Sequence, residues 1–256
     1  MLCNPFKDNL IFVIMKVGVI GYGEIGKSIH QVYKDFPEFD VRIKEKEWSD
    51  DLQKIEIMNV CISFGKKEDF VFIVSEIIKE YGPLLTIIHS TVKAGTTKEI
   101  INKTGSFVVH SPVIGVHPNL YEGIKTFVKY IGYEQEEAKI LCEEHFRKLN
   151  LKYKSYKNSK TSELAKLLST TYYGVCIAWH GEMKKICDKE GVNFEAIGDW
   201  NKNYREGYEK LGKSNVARPI LSAPEGKIGG HCVIPNAKLL SEDFESLALD
   251  LVLKYG

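Results

Sequence analysis

Apolar and polar positions divide this chain into two stretches of different rhythm. In the first, short runs rich in Val and Ile at residues 16–20, 41–43, 59–63, 85–89, 107–110 and 128–131 read as strands buried on both faces. Longer stretches with apolar residues three and four apart separate them, clearest at 27–33, 69–81, 96–102 and 136–148, and these predict helices. Strand alternating with helix predicts a mostly parallel sheet covered on both faces.

After about residue 155 the rhythm becomes helical. Residues 161–190 predict one long helix, with Leu164, Leu168, Tyr172, Val175, Trp179, Met183 and Ile186 recurring as a buried stripe and Gly191 as its C-cap. A further helix starts over 194–200, residues 210–230 are a loop rich in Gly, Pro and Ser, and 241–255 predict a closing helix with Leu247 and Leu251 on one face. The expected class is α/β: a Rossmann-type doubly wound parallel sheet over 1–154, then a smaller α-helical domain over 155–256. Met15-Lys16 directly before the first strand marks an alternative start, leaving residues 1–14 as an extension.

Composition narrows the partners. Lys+Arg is 35 against Asp+Glu 34, a formal charge of +1, so no global field points to nucleic acid or a membrane surface. Lys152, Lys154, Lys157 and Lys160 read as a solvated face. The apolar run at 10–15 is far short of the roughly 20 residues a membrane span needs. No small-residue cleavage site follows it, so no signal peptide is expected. The six cysteines are scattered with no Cys-x-x-Cys pair, which predicts reduced thiols in a cytoplasmic setting. No metal site is expected, because the histidines lack His-x-x-x-His spacing. His110 reads as a satisfied strand-end histidine. His117 and His231 carry no special signal.

Two patterns carry chemistry. Gly21-Tyr22-Gly23-Glu24-Ile25-Gly26 lies between a predicted strand and a predicted helix, the context a dinucleotide fingerprint requires. Gly21 permits the tight turn, Gly23 lets backbone approach a pyrophosphate, and Gly26 allows close packing of helix on strand. An acidic residue at the end of the second strand then selects the cofactor. Glu45 there would hold ribose hydroxyls and imply NAD; Lys44 at the strand tip, with Arg42 or Lys46 near, would welcome the 2′-phosphate of NADP. Ser63, Ser90 and Thr91, at the ends of the third and fourth strands, are further cofactor-binding candidates. The second pattern is Gly229-Gly230-His231-Cys232, a thiol in a glycine turn. It is either a nucleophile beside a cofactor or a small buried hydrophobe.

Four motifs in order, the fingerprint, Ser90-Thr91-Val92-Lys93-Ala94-Gly95-Thr96-Thr97, Ser162-Glu163-Leu164-Ala165-Lys166 and Gly229-Gly230-His231-Cys232, resemble the UDP-glucose/GDP-mannose dehydrogenase family. The resemblance covers residues 16–250. It implies a nucleotide-sugar dehydrogenase that oxidises an alcohol to a carboxylate in two NAD-dependent steps, and a homodimer formed through the helix at 161–190. It implies that Cys232 matches the nucleophile, Lys166 the lysine that stabilises oxygen charge, and Thr91 the threonine near cofactor and substrate. A thiolate adding to an aldehyde and an ammonium holding the resulting oxyanion suit these residue types.

Three polar positions depart from the family pattern. Val113 stands where its Ser-Pro-Glu segment has the carboxylate, Thr170 where its helix has an Asn, and Asn236 where an Asp follows the cysteine. Asn236 cannot act as a general base, so hydrolysis of a thioester is in doubt. The resemblance also implies a short form without the family's second nucleotide-binding domain, with a smaller substrate or a separate chain supplying the missing half. Two alternatives stay open: a cofactor-binding protein or partner subunit that has lost catalysis, and a two-electron hydroxyacid-type dehydrogenase in which Cys232 is incidental.

Overall fold

The computed structural model describes residues 14–256. The expected extension at 1–14 therefore lies outside the described residues except for Ile14, and the apolar run at 10–15 lies outside them except for Ile14 and Met15. The chain divides into two compact units, the first running to Leu164 and the second from Ala165 to Gly256. That division lies inside a helix, ten residues beyond the boundary expected from the change of rhythm.

In the first unit the strands are β1 Met15–Ile20, β2 Phe39–Lys44, β3 Ile57–Val60, β4 Leu85–Ile88, β5 Val108–His110, β6 Lys129–Tyr133 and β7 Tyr153–Lys157. The helices are α1 Glu24–Lys34, α2 Lys67–Tyr81, α3 Thr96–Thr104, α4 Leu120–Thr126, α5 Glu136–Lys148 and the start of α6 Lys160–Glu190. The strands form one sheet in the order β2-β1-β3-β4-β5-β6-β7. Its pairs are parallel except β5 with β6. This is the doubly wound α/β fold the alternation predicts.

Side-chain alternation along each strand feeds two cores. Val17, Val19, Leu85 and Ile87 pack with Ile29, Val32 and Phe146 on one face. Ile20, Met58, Val60 and Ile88 pack with Phe70, Val74, Ile78 and Ile100 on the other. Strands so covered on both faces carry continuous apolar runs, which is why they are legible. β7 is not: it pairs only with β6 at the sheet edge. Lys154 and Lys157 on it are exposed, as are Lys152 and Lys160 beside it. The solvated lysine face is real, but it belongs to an edge strand, where charge blunts further pairing.

The second unit contains the rest of α6, then α7 Glu195–Lys210, a short 3-10 turn at Ser214–Val216, α8 Val233–Ser241 and α9 Leu247–Leu253. Gly191, at φ +68, ends α6 as expected. Two expectations need correction. The stripe on α6 is not buried: Leu168, Tyr172, Trp179 and Ile186 are exposed. The buried line is instead Leu167, Thr171, Gly174, Ala178 and Gly181. Small residues occupy it because other segments come close: a Cβ at Gly174 would lie 2.4 Å from Val233 Cγ1, and one at Gly181 2.5 Å from the Tyr255 hydroxyl. The closing helix expected over 241–255 is shorter: α9 begins only at Leu247, with Ser246 capping it through the Ala248 N–H, and α8 is a separate helix before it that the sequence pattern did not show. Leu247 is solvent-exposed while Leu249 and Val252 are buried. The helix expected to start over 194–200 is α7, which runs to Lys210 and buries none of its residues.

Candidate functional site

In the first unit the glycine fingerprint builds a cradle at the tips of β1 and β2. Gly21 adopts φ +88, and a Cβ on it would meet Ile62 Cγ2 at 2.9 Å. A Cβ on Gly26 would lie 2.0 Å from the Gly21 carbonyl oxygen, so α1 can close on β1 only with glycine there. A Cβ on Gly23 would meet nothing within 4 Å, so backbone is open to a ligand at this point. Gly23 is the N-cap of α1 and makes no side-chain cap. The first N–H groups of the helix, beginning at Glu24 and Ile25, have no intrahelical acceptors and suit a phosphate. The cradle thus fits a dinucleotide. Glu24, in that first turn, is paired with His117 Nδ1 at 2.6 Å.

The choice between Lys44 and Glu45 depends on where β2 ends. Lys44 is the last residue of the strand, paired with Ile20. Its ammonium lies over the Tyr81 ring and 3.4 Å from that hydroxyl, so it is turned to α2. Glu45 follows the strand, and its carboxylate accepts the N–H groups of Lys46 at 2.9 Å and Tyr22 at 2.5 Å. Those two bonds, Lys46 first, hold the Glu45 carboxyl below the usual range. Arg42 is paired with Asp40 at 2.7 Å. The acid and the glycine loop are therefore in direct contact, and Lys44 is directed elsewhere.

Ser90 and Thr91 lie in the turn between β4 and α3. The Ser90 hydroxyl donates to the Ile62 carbonyl at 2.6 Å, tying this turn to the loop after β3 in which Ser63 is exposed. Thr91 is half-buried. His110 is fully buried, bonded to Ser162 Oγ at 2.7 Å and to the Ser90 carbonyl at 3.1 Å, as expected of a satisfied histidine. Beyond β5, Lys129 Nζ donates from the core to the carbonyls of Ser111 at 2.7 Å and Pro112 at 2.9 Å. The segment leading into buried Val113 is thereby pinned from within.

In the second unit Cys232 is the N-cap of α8, just after Gly230 at φ +85. Val233 packs on Gly174, two turns along α6 from Lys166 and on the same face. Burial lowers the Lys166 pKa, and a thiolate at Cys232 opposes that shift, so the two groups are close enough to interact. Thr170 gives its hydroxyl hydrogen to the Lys166 carbonyl at 2.9 Å, which occupies it within the helix. Asn236, one turn into α8, is buried. His231 is exposed.

Sequence reasoning missed Glu163, whose carboxylate accepts from the start of α3, and Gly174, whose missing Cβ admits α8. Each left a signal. Glu163 stands in the quoted Ser-Glu-Leu-Ala-Lys motif, and a glycine inside a long helix costs about 1 kcal/mol unless packing requires it. Among the described residues no cluster of His, Cys, Asp and Glu suits a metal ion, and no helix is long and apolar enough to cross a membrane. Among the described residues, the cysteines at 61, 142, 176 and 187 are free thiols.

No family model matches the chain. Its similarity lies with nucleotide-sugar dehydrogenases. A UDP-N-acetyl-D-mannosamine dehydrogenase of Methanocaldococcus jannaschii is 27% identical over 197 residues, covering 71% of this chain and 43% of that protein. Another, of Pyrococcus horikoshii, is 25% identical over 272 aligned positions, 92% of this chain and 62% of that protein. The solved structure of UDP-D-ManNAc dehydrogenase from Pyrococcus horikoshii matches with a TM-score of 0.71 at 20% identity, covering 94% of this chain and 68% of that one. The chain spans less than two thirds of the length of these curated relatives.

Proposed function

We propose that this chain is an NAD-dependent oxidoreductase of the nucleotide-sugar dehydrogenase type, acting on an alcohol or aldehyde of a sugar-like substrate. The observation that carries the proposal is that Val233, next to Cys232, packs on Gly174 of the helix that carries Lys166, whose pKa a thiolate at Cys232 would raise. The cofactor choice rests on Glu45, whose carboxylate lies at the glycine loop where ribose hydroxyls would be accepted, with Lys44 turned to Tyr81. NAD, when bound, supplies the hydride acceptor.

The remaining chemistry belongs to the chain's own side chains. The Cys232 sulfur, as thiolate, adds to an aldehyde carbon, and the carbonyl π pair moves onto oxygen. Lys166 stabilises that oxyanion by charge or gives it a proton, and burial, which lowers its pKa, favours proton donation. Asn236 at the following turn has no basic oxygen to take a proton from water. The residues therefore support the addition step better than hydrolysis of a thioester. A sugar-like small-molecule substrate and a reducing cytoplasmic setting belong to the same proposal. So does a homodimer through the exposed face of α6.

A second reading, a cofactor-binding subunit without turnover, is favoured by the same loss of carboxylates at Val113 and Asn236. Cofactor binding followed by hydride transfer over a panel of sugars, aldehydes and hydroxy acids separates the two. On the enzyme reading, Cys232→Ser keeps NADH affinity and loses aldehyde oxidation by at least about a hundredfold. Unchanged oxidation in that variant removes the thiol mechanism. Tight NADH binding with no turnover on any substrate selects the subunit reading.

A further inference from the structure

We propose that Glu163 is a positioning residue for the nicotinamide end of the cofactor site, fastening the turn that carries Thr91. This inference rests on the NAD reading above. Glu163 is fully buried. Its two carboxylate oxygens accept different backbone donors, Oε2 the N–H of Gly95 at 2.5 Å and Oε1 the N–H of Thr97 at 2.8 Å. Both donors belong to the start of α3, where helix N–H groups have no partner of their own. Gly95, the N-cap at φ +86, has no side chain to offer, so α3 lacks a local side-chain cap. The cap comes instead from the first turn of α6, 66 to 68 residues further along.

This is a costly way to finish a helix. A serine, asparagine or aspartate N-cap, worth about 1 kcal/mol, is the usual solution, but at φ +86 the backbone of position 95 disfavours any side chain. What the buried carboxylate adds is a fixed distance between the Thr91 turn and the first turn of α6. The other end of that turn is held as well: the Ser90 hydroxyl donates to the Ile62 carbonyl at 2.6 Å, and His110 Nε2 bonds the Ser90 carbonyl at 3.1 Å. Thr91 lies between these two anchorages. The strand order β2-β1-β3-β4 puts Glu45 and the glycine loop at the adenosine end of a bound dinucleotide and the β4 tip at its other end. Glu163 therefore governs the nicotinamide end and leaves the adenosine end alone. Burial raises the Glu163 carboxyl pKa against the bonds from Thr97 and Gly95, in keeping with a group retained for geometry.

The test compares NADH with ADP-ribose, which lacks the nicotinamide, on the full chain and on Glu163→Gln and Glu163→Ala. Glu163→Gln keeps the shape and one acceptor oxygen but must drop one of the two backbone donors. The expected result is NADH affinity weaker by about tenfold, with ADP-ribose affinity changed by less than about twofold. Equal weakening of both ligands, as general loosening would give, overturns the inference, and so does no change in either. Failure of both variants to fold also overturns it, since Glu163 would then be a folding residue. If the unaltered chain binds neither ligand, it is the cofactor reading itself that falls, a result visible before any variant is made.

Discussion

At position 26 a single methyl group would occupy the space of the Gly21 carbonyl oxygen, 2.0 Å away, and the loop between β1 and α1 could not close. Position 45 has comparable leverage over ligand choice. A carboxylate one residue past the end of β2 touches the glycine loop, whereas the lysine one residue earlier is turned to Tyr81. Removing the carboxylate with Glu45→Ala should weaken NADH binding by about tenfold and narrow its advantage over NADPH. Fluorescence titration with both nucleotides measures this, and an unaltered preference would show that Glu45 does not choose the cofactor. The glycines and Glu45 were legible in the sequence because turn chemistry is local and the acid follows at a set interval. Glu163 was not, because its partners are 66 and 68 residues away and a glutamate in a first helical turn ordinarily faces solvent.

Among the elements, α5 matches its sequence expectation at both ends, Glu136–Lys148, because an amphipathic helix between two strands has an unambiguous period. The long helix α6 shows the limit of that logic. Its largest apolar residues are exposed, and its buried line is made of Gly, Ala, Thr and one Leu. Hydrophobic period alone selects the wrong face where helices approach so closely that only small residues fit. That approach is also what brings Cys232 to α6, and Gly174→Val tests it. With Val233 already 2.4 Å from a Cβ there, the variant should lose about 1–3 kcal/mol of stability. Thermal unfolding and the rate of iodoacetamide capture at Cys232, corrected with a Cys232→Ser background, should change together. An unmoved capture rate would show that the Gly174 contact does not position the thiol.

At the scale of the whole molecule, the exposed face of α6 is what a single chain leaves unexplained. Leu168, Tyr172, Trp179 and Ile186 run along it at exposures of 55%, 68%, 49% and 54%. A row of large apolar side chains this long exceeds what monomeric surfaces normally show. It supports the proposed homodimer, for which self-association along one helix is the simplest symmetric solution. Sedimentation at micromolar concentration should give a dimer, and Trp179→Glu should shift it toward monomer with the sheet unit still folded. A monomer in the unaltered chain would remove the proposal.

Local sequence carries the alternation of strands and helices in the doubly wound unit apart from α4 and β7, the glycine loop, and the four motifs that name Thr91, Lys166 and Cys232 as candidates. Each of these is written in neighbouring residues: periodicity, turn chemistry and fixed short spacings. Only the tertiary structure decided that Glu45 rather than Lys44 meets the glycine loop. It alone turned the small-residue face of α6 inward and made Glu163 the cap of α3. Each depends on which distant segment fills a space, and that is settled by volume and unpaired backbone donors on both partners at once. A reading of one segment at a time does not contain that information.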